Sequence, residues 1–312
     1  MHSGGGQCLQ LLFPDRALAN VMTSVPARDG RVIQPEKYMC YRAAGSIVID
    51  GRIKELSWKR AQWTKYFVDI EGNDVRPEPR FATRAVMVWD DEHFYVAAEF
   101  EEPDVWGTLT KRDSRIYDDN DFEVFVKPSE EADCYFEFEM NALNTMWDLL
   151  LDKPYYLGGR ADSSWDCFDL KHATQVDGTL NWPADVDKGW TLEIAIPWAS
   201  LGRGGVTGPP EPGDQWRVNF SRVEYERSLV GKYCDNWTWS CQSEINMHIP
   251  AFWGFVQFSD IVVGQGKESF AEGTTEVRPW WEGLDPSRLP PAPDRSYLSR
   301  GKMRLWEQKQ GE

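Results

Sequence analysis

An acidic run followed by an alternating strand is the part of the sequence best suited to chemistry. Residues 117–126, YDDNDFEVFV, place three aspartates and an asparagine beside a strand that carries Glu123. Residues 138–141, FEMN, repeat the arrangement on a second predicted strand with Glu139 and Asn141. Carboxylates accept, and amides both donate and accept, the hydrogen bonds that a hydroxyl-rich ligand requires. The spacing therefore predicts a polar-ligand site on one face of a sheet.

Aromatic and amide side chains near the ends of the predicted strands extend this site. The chain has sixteen tryptophans, more than packing alone usually needs, and flat aromatic rings are the groups on which sugars stack. The candidate ligand contacts are Tyr117, Trp106 and Trp239 for stacking, and Glu123, Glu139, Asn141 and Asn246 for hydrogen bonding. Trp147, Trp280 and Trp281 are further candidates for exposed stacking surfaces. The alternative is that the glutamates form only the solvated side of an amphipathic strand.

The acidic run also suits a hard metal ion. Calcium prefers several oxygen ligands, and Asp118, Asp119 and Asp121 offer a dense group of carboxylates in a loop. The spacing is not that of an EF-hand loop. The sequence predicts a structural calcium site at these three aspartates or, alternatively, a solvated turn whose aspartates cap the local backbone.

A catalytic alternative uses the same face. A glycoside hydrolase needs two carboxylates roughly 5 to 10 Å apart across the scissile bond. Glu123 with Glu139, or Glu137 with Asp148, would supply such a pair. In an acidic chain such pairs also arise by chance, so we expect binding rather than hydrolysis.

A haem-binding electron-transfer domain is a second alternative. Such a site uses axial ligands such as methionine and histidine, and Met247 is followed directly by His248. Adjacent residues of an extended segment point to opposite sides, so these two are poorly placed to bind one iron from opposite faces.

Composition and charge narrow the possible partners. The chain of 312 residues carries a net charge of −16, and a surface this acidic repels nucleic-acid phosphates. It suits a neutral partner, a cationic partner or a divalent cation. No apolar run is long enough to span a membrane, and no basic region followed by an apolar segment marks a secretory signal. We expect a soluble monomer that binds neither nucleic acid nor membranes, with six reduced cysteines.

Alternating apolar and polar residues predict an all-β protein. The run 121–126 alternates, so one side should face a core and the acidic side should face solvent. Further strands are predicted at 81–89, 94–101, 134–141, 145–151, 169–177, 189–196, 215–225 and 253–259. This pattern favours an antiparallel two-sheet β-sandwich, of the immunoglobulin or jelly-roll kind, over residues 39–262. Residues 1–38 should form an irregular N-terminal arm and residues 263–312 an irregular C-terminal tail.

Three motifs in a fixed order resemble the family 9 carbohydrate-binding-module-like proteins. Residues 47–51, IVIDG, match an IDG opener, and residues 121–125, DFEVF, match a strand of the form (D/N)-x-(V/F)-E-(V/I)-F. Residues 189–198, GWTLEIAIPW, match a strand of the form GW-x-x-E-(I/V)-x-(I/F)-P-(W/F). The resemblance covers residues 40–262 and implies a β-sandwich that binds a poly- or oligosaccharide without cleaving it.

The resemblance also implies roles for particular residues. In that family a sugar is held between two tryptophans, whose positions here carry Tyr117 and Met247. A strand glutamate that hydrogen-bonds the sugar corresponds to Glu123, and an arginine and an asparagine on the next strand correspond to Glu139 and Asn141. Structural calcium and an extracellular setting in carbohydrate catabolism are further implications.

Overall fold

The computed structural model describes residues 24–130, 132–227, 233–270 and 283–284. Trp280, Trp281 and most of the predicted C-terminal tail lie outside the described residues. The described part is built of fifteen β-strands with short helical turns between them.

Nine of the fifteen strands fall where alternation predicts them, with boundaries that differ by up to three residues. The fifteen strands are β1 Val25–Pro26, β2 Val32–Ile33, β3 Lys37–Arg42, β4 Val68–Asp69, β5 Thr83–Trp89, β6 His93–Glu101, β7 Asp121–Lys127, β8 Tyr135–Asn141, β9 Met146–Leu151, β10 Ala161–Asp162, β11 Lys171–Asp177, β12 Gly189–Pro197, β13 Gln215–Glu224, β14 Asp235–Thr238 and β15 Gly254–Val262. Six strands were not predicted. Of these, β1, β2, β4, β10 and β14 carry too few residues for alternation to show, and β3 begins in the segment expected to be an irregular arm.

Helical segments are few and short. The α-helix α1 covers Leu56–Arg60, and 3₁₀ turns cover Ile116–Asp118, Tyr155–Leu157, Trp198–Gly204 and Pro250–Phe252. Among the described residues, no helix has the length and apolar character needed to cross a lipid bilayer.

Thirteen of the strands form one continuous hydrogen-bonded sheet that is mixed rather than antiparallel. Its main order is β10-β9-β8-β7-β13-β15-β3-β5-β6-β12-β11, with β14 joining β13 to β4. All pairs are antiparallel except β15 with β3 and β3 with β5. The prediction of a purely antiparallel sandwich is therefore wrong at β3, because alternation reveals a strand and its faces but not the direction of its neighbours.

One apolar core lies between the two halves of this sheet. Phe122 of β7 and Phe138 of β8 face it from one half, and Phe94 of β6 and Ile194 of β12 face it from the other. All four side chains are completely buried. Burying one such side chain contributes about 1.5 to 3 kcal/mol, so this core is the main source of stability. The layering is that of a β-sandwich.

Two of the sequence motifs are joined by a buried glutamate. Glu193 of β12 accepts hydrogen bonds from the Asp50 and Gly51 backbone N–H groups, at 3.0 and 2.7 Å, and from Trp58 Nε1 at 2.8 Å. Gly51 has φ of +78°, and a Cβ there would lie 2.6 Å from the carbonyl carbon of Thr174. The IDG segment and the GW-x-x-E strand therefore have a structural role, because their contact holds two parts of the fold together.

The N-terminal arm is more regular than predicted. Strands β1 and β2 form a small hairpin, in which Val25 and Ile33 pack against Ile249 and Phe252. Strand β3 also begins at Lys37, before the predicted domain boundary. Two-residue strands give no alternation, which explains why residues 25–33 were expected to be irregular. The hairpin supports the loop before β15.

The described cysteines are free thiols. They are Cys40, Cys134, Cys167, Cys234 and Cys241.

Candidate ligand-binding cleft

The outer face of β7 and β8 carries the glutamates singled out in the sequence. In the antiparallel pair, Glu123 lies directly opposite Glu139, and Phe125 lies opposite Glu137. Directly opposed residues on one face have Cβ atoms about 5 Å apart. The prediction that Glu123 and Glu139 are neighbours on adjacent strands is confirmed.

This face is covered rather than open to solvent. Every residue of β7 and β8 is buried, because a second apolar layer packs on the outer face. Ile70, Met247 and Trp253 contribute this layer from loops, against Phe125 and Tyr135 of the strands. The expectation of a solvated acidic face is therefore wrong. The loops leave a cleft of about 350 Å³ above the glutamates.

Aromatic rings form the walls of the cleft. Tyr117 and Trp147 lie side by side, with ring centroids 6.0 Å apart and an interplanar angle of 39°. Tyr155 and His248 also line the cleft, and their rings pack edge to face with centroids 4.5 Å apart. Tyr225 Oη donates to the Tyr117 carbonyl at 3.0 Å, which fixes the backbone of the first wall. Tyr117 is 36% exposed, so its ring is available to a ligand.

Carboxylates form the floor. Glu123, Glu137 and Glu139 line the cleft, and Asp121 lies completely buried beside them. Asp121, Glu123 and Glu139 each place one carboxylate oxygen within 4.8 Å of the other two. Tyr117 N–H donates to Glu139 Oε2 at 3.2 Å. Asp121 Oδ2 and Glu137 Oε2 are buried and accept no hydrogen bond within the described structure.

The floor strongly disfavours charge. Burial raises the pKa of Glu123 to about 7, against a hydrogen bond from Ser221 that lowers it. Burial and the nearby glutamates together raise the pKa of Glu137 and Glu139 well above the usual range. The pKa of Asp121 is also raised well above its usual range, first by burial and second by the nearby charge of Glu123. Low-dielectric surroundings and like charges act here in the same direction.

Asn141 and Asp119 build the loop beside the cleft rather than contact a ligand. Asn141 Nδ2 donates to the Leu109 carbonyl at 2.8 Å and to Asp119 Oδ2 at 3.0 Å. Asp119 also accepts from Thr108 N–H and Oγ1, both at 2.7 Å, and from Leu109 N–H at 2.8 Å. Neither side chain lines the cleft. The predicted ligand role of Asn141 is replaced by a structural one.

The predicted calcium loop is not assembled. Asp118 is exposed in a 3₁₀ turn and pairs with Arg115 at 3.0 Å, whereas Asp119 is satisfied by its donors. Asp121 belongs to β7 and points to the cluster with Glu123. These three aspartates therefore do not fit one calcium ion, because consecutive residues of the turn point in different directions.

Two of the five tryptophans predicted as stacking platforms, Trp106 and Trp239, are buried. Trp239 is 3% exposed, and its ring lies so close to Gly254 that a Cβ there would be 2.4 Å away. Trp106 is 4% exposed and lies beneath the guanidinium of Arg227, 5.8 Å from the ring centroid. Neither can stack on a ligand. Position along the strand did not reveal the glycine or the arginine that cover them.

The segment 246–248 lies at the cleft as expected. Asn246 and Met247 both line it, and Asn246 Oδ1 accepts from the His248 N–H at 2.9 Å. The second clamp position implied by the resemblance is thus at the cleft, with Met247 in place of a tryptophan.

His248 is poorly placed for a haem iron. Its Nδ1 is 2.9 Å from Tyr135 Oη, and its ring is packed against Phe125 and Tyr155. Burial lowers its pKa to about 4, so the ring is neutral near pH 7. These contacts make it part of the cleft wall.

The lining residues that were not sequence candidates for ligand contact include Glu137, Tyr155 and Tyr225. Glu137 lies two residues before Glu139 on the same face of β8, so alternation alone would have found it. Tyr155 and Tyr225 follow the ends of β9 and β13. No local pattern in the sequence marks these two tyrosines.

Comparisons with known proteins identify similar proteins and a matching family. The exoglucanase XynX of Acetivibrio thermocellus is 26% identical over 191 residues, which are 61% of this chain and 15% of that protein. A solved protein from Bacteroides uniformis ATCC 8492, to which carbohydrate binding is ascribed, matches with a TM-score of 0.54 at 16% identity. The match covers 72% of this chain and 99% of that one. This likeness supports the β-sandwich fold.

A family 9 carbohydrate-binding module from Caldicellulosiruptor kristjanssonii, solved with cellotriose, has a TM-score of 0.48 at 16% identity, over 74% of this chain and 98% of that one. The model of the family described as carbohydrate family 9 binding domain-like matches residues 49–260, well over half of the chain. The chain therefore belongs to the carbohydrate family 9 binding domain-like family.

Proposed function

We propose that this chain binds a carbohydrate in the cleft and does not cleave it. The observation that carries the proposal is the cleft itself, in which the aromatic pair Tyr117 and Trp147 stands beside a floor of carboxylates. Sugars need both an aromatic surface for their C–H groups and acceptors for their hydroxyls. Membership of a family of carbohydrate-binding domains supports the same class of ligand.

Each part of the cleft has a role in this proposal. Tyr117 and Trp147 stack on a sugar ring, which contributes on the order of 1 kcal/mol per stacked ring beyond the buried area. Glu123, Glu139 and Asn246 hydrogen-bond its hydroxyl groups. A cleft of about 350 Å³ admits a sugar unit or the end of a chain better than the middle of a long polymer. Micromolar to millimolar affinity is expected.

Hydrolysis is the competing function, because it would use the same carboxyl groups. A glycosidase keeps one carboxyl protonated while its partner stays ionised. Here burial raises the pKa of Glu123 to about 7, and burial together with neighbouring carboxyl groups raises the pKa of Asp121, Glu137 and Glu139 well above the usual range. Release of reducing ends from a glycan therefore separates hydrolysis from binding.

Calorimetric titration with purified sugars tests the proposal. Fragments of β-glucans come first in the panel, because the relative from Acetivibrio thermocellus is named an exoglucanase. We expect Tyr117→Ala and Trp147→Ala each to weaken binding about fivefold or more, from the lost stacking. Trp182 is 57% exposed and lies outside the cleft, so Trp182→Ala is the matched control and should bind normally.

Two results would overturn the proposal. One is unchanged binding in both wall variants. The other is release of reducing ends from a glycan by the intact chain, abolished by Glu123→Gln, which would assign hydrolysis instead.

A further inference from the structure

Two clusters of three carboxylates occur in the described part of the chain, and they differ in one respect. The first contains Asp113, Asp148 and Asp166. Arg112 lies among them, with its Nη2 donating to Asp148 and, at 3.1 Å, to Asp166. Its guanidinium compensates the negative charge of that cluster.

The second cluster has no such cation in the described structure. It consists of Asp121, Glu123 and Glu139, with Glu137 next to it on β8. No described residue that lines the cleft is a lysine or an arginine, and the imidazole of His248 is neutral near pH 7. Four carboxyl groups thus share a buried site without a positive charge from the lining. Buried carboxylates normally have a partner, because isolated ones are costly to bury.

Unsatisfied oxygen atoms indicate where a partner would lie. Asp121 is 0% exposed and its Oδ2 has no hydrogen-bond donor, although its Oδ1 accepts from Val223 N–H at 3.2 Å. Glu137 is 3% exposed, lines the cleft, and leaves Oε2 without a donor. Buried acceptors of this kind are rare in folded proteins and call for an explanation. Both belong to the group of carboxyl side chains at the cleft floor.

We propose that a divalent cation of the calcium type binds between Asp121, Glu123 and Glu139, and that its side facing the cleft holds a sugar hydroxyl. Carboxylate oxygens without nitrogen or sulfur donors suit a hard cation, and calcium accepts irregular oxygen geometry. The second half of this inference rests on the proposed function.

The position of Asp121 favours a metal ion over the ammonium group of an amino sugar. Glu123 and Glu139 line the cleft, whereas Asp121 is fully buried and does not. A bare ion can reach the space between all three, but an amine fixed to a sugar ring would meet only the outer two. The ligands also come from paired strands, so the sheet sets their spacing in advance.

The metal site is tested without sugar. The chain is stripped with chelator and titrated with terbium, whose luminescence Tyr117 and Trp147 can sensitise, and then with calcium as competitor. We expect saturable terbium binding that calcium displaces. Asp121→Asn and Glu139→Gln should each weaken it about tenfold or more, since even outer partners of metal ligands change affinity by that much. Asp166→Asn, in the cluster that holds Arg112, is the control and should leave it unchanged.

The outcomes separate this inference from the proposed function. No saturable terbium or calcium binding, or equal weakening by Asp166→Asn, would overturn the cation site. A sugar that binds equally with calcium and with chelator would overturn the contact between cation and hydroxyl while leaving sugar binding in place. Calcium that binds and raises sugar affinity would support both halves.

Discussion

Replacing Glu123 by glutamine should make the cation-free protein more stable, which is unusual for a buried polar residue. Glu123 is 6% exposed, and its neighbours in the cleft floor are other carboxyl groups. Glutamine has the same shape and no charge, and its amide can donate to Glu139 or Asp121. The substitution removes a repulsive group from the fold while removing a ligand contact from the cleft.

The size of the effect follows from the pKa of Glu123. A carboxyl group whose pKa rises from 4.5 in the unfolded chain to about 7 in the folded protein costs about 3 kcal/mol once it ionises. Below pH 4.5 the group is protonated in both states and the cost is absent. The cost grows as the pH rises from 4.5 to about 7 and is complete above that. Glu123→Gln should therefore raise the free energy of unfolding by up to about 3 kcal/mol at pH 8 and little at pH 4.

Urea unfolding in the presence of chelator measures this difference at both pH values. The matched control is Asp119→Asn, another buried carboxylate made neutral. Asp119 accepts from Thr108 and Leu109 N–H groups and from Asn141, so its charge is well solvated by donors. Weakening these charge-assisted hydrogen bonds should cost about 2 kcal/mol. The two substitutions are expected to change stability in opposite directions.

One result would refute this reasoning. If Glu123→Gln lowered the stability of the cation-free protein at pH 8 as Asp119→Asn does, Glu123 would have a favourable electrostatic partner, and the cleft floor would not be a site of unbalanced charge.

Two further predictions concern the walls and the core. Gly254→Ala should destabilise the fold by about 1 to 3 kcal/mol in urea unfolding, because the new methyl group would clash with the Trp239 ring. Gly202→Ala is the control, since no atom lies within 4 Å of a Cβ at that position. Equal destabilisation by the two substitutions would contradict the close packing at Gly254. His248 has its pKa lowered from 6.5 to about 4, so the folded protein loses about 3 kcal/mol as the pH falls through this range. The His248→Gln variant should not show this loss. If the free energy of unfolding fell with pH equally in the variant and in the unsubstituted protein, the prediction would be contradicted.

The strands and the central pair of glutamates were predictable because they depend on local pattern. Alternation along 121–126 and 134–141 determined which side chains share a face, and a short connection made β7 and β8 neighbours. That Glu123 and Glu139 lie on neighbouring strands followed from these two facts, whereas their direct pairing is known only from the structure. The family resemblance rested on motifs such as Gly51 with Glu193, which the structure explains as a fold contact.

The cover of the site was not predictable because it depends on contacts between distant segments. Met247 and Trp253 reach the outer face of β7 from a loop more than a hundred residues away, which turns an expected open face into a cleft. The same kind of contact buries Trp239 against Gly254. The parallel insertion of β3 between β15 and β5 is also non-local. Local periodicity contains no information on any of these.

The most direct test of carbohydrate binding in the cleft uses the indole N–H signals in nuclear magnetic resonance. Trp147 Nε1 has no hydrogen-bond partner in the described structure and belongs to the cleft wall, whereas Trp182 lies on the surface elsewhere. The two signals are assigned by their disappearance in Trp147→Phe and Trp182→Phe. Titration with a sugar that binds should shift the Trp147 signal and leave that of Trp182 in place. Saturable binding that leaves the Trp147 signal unmoved would contradict the proposed site.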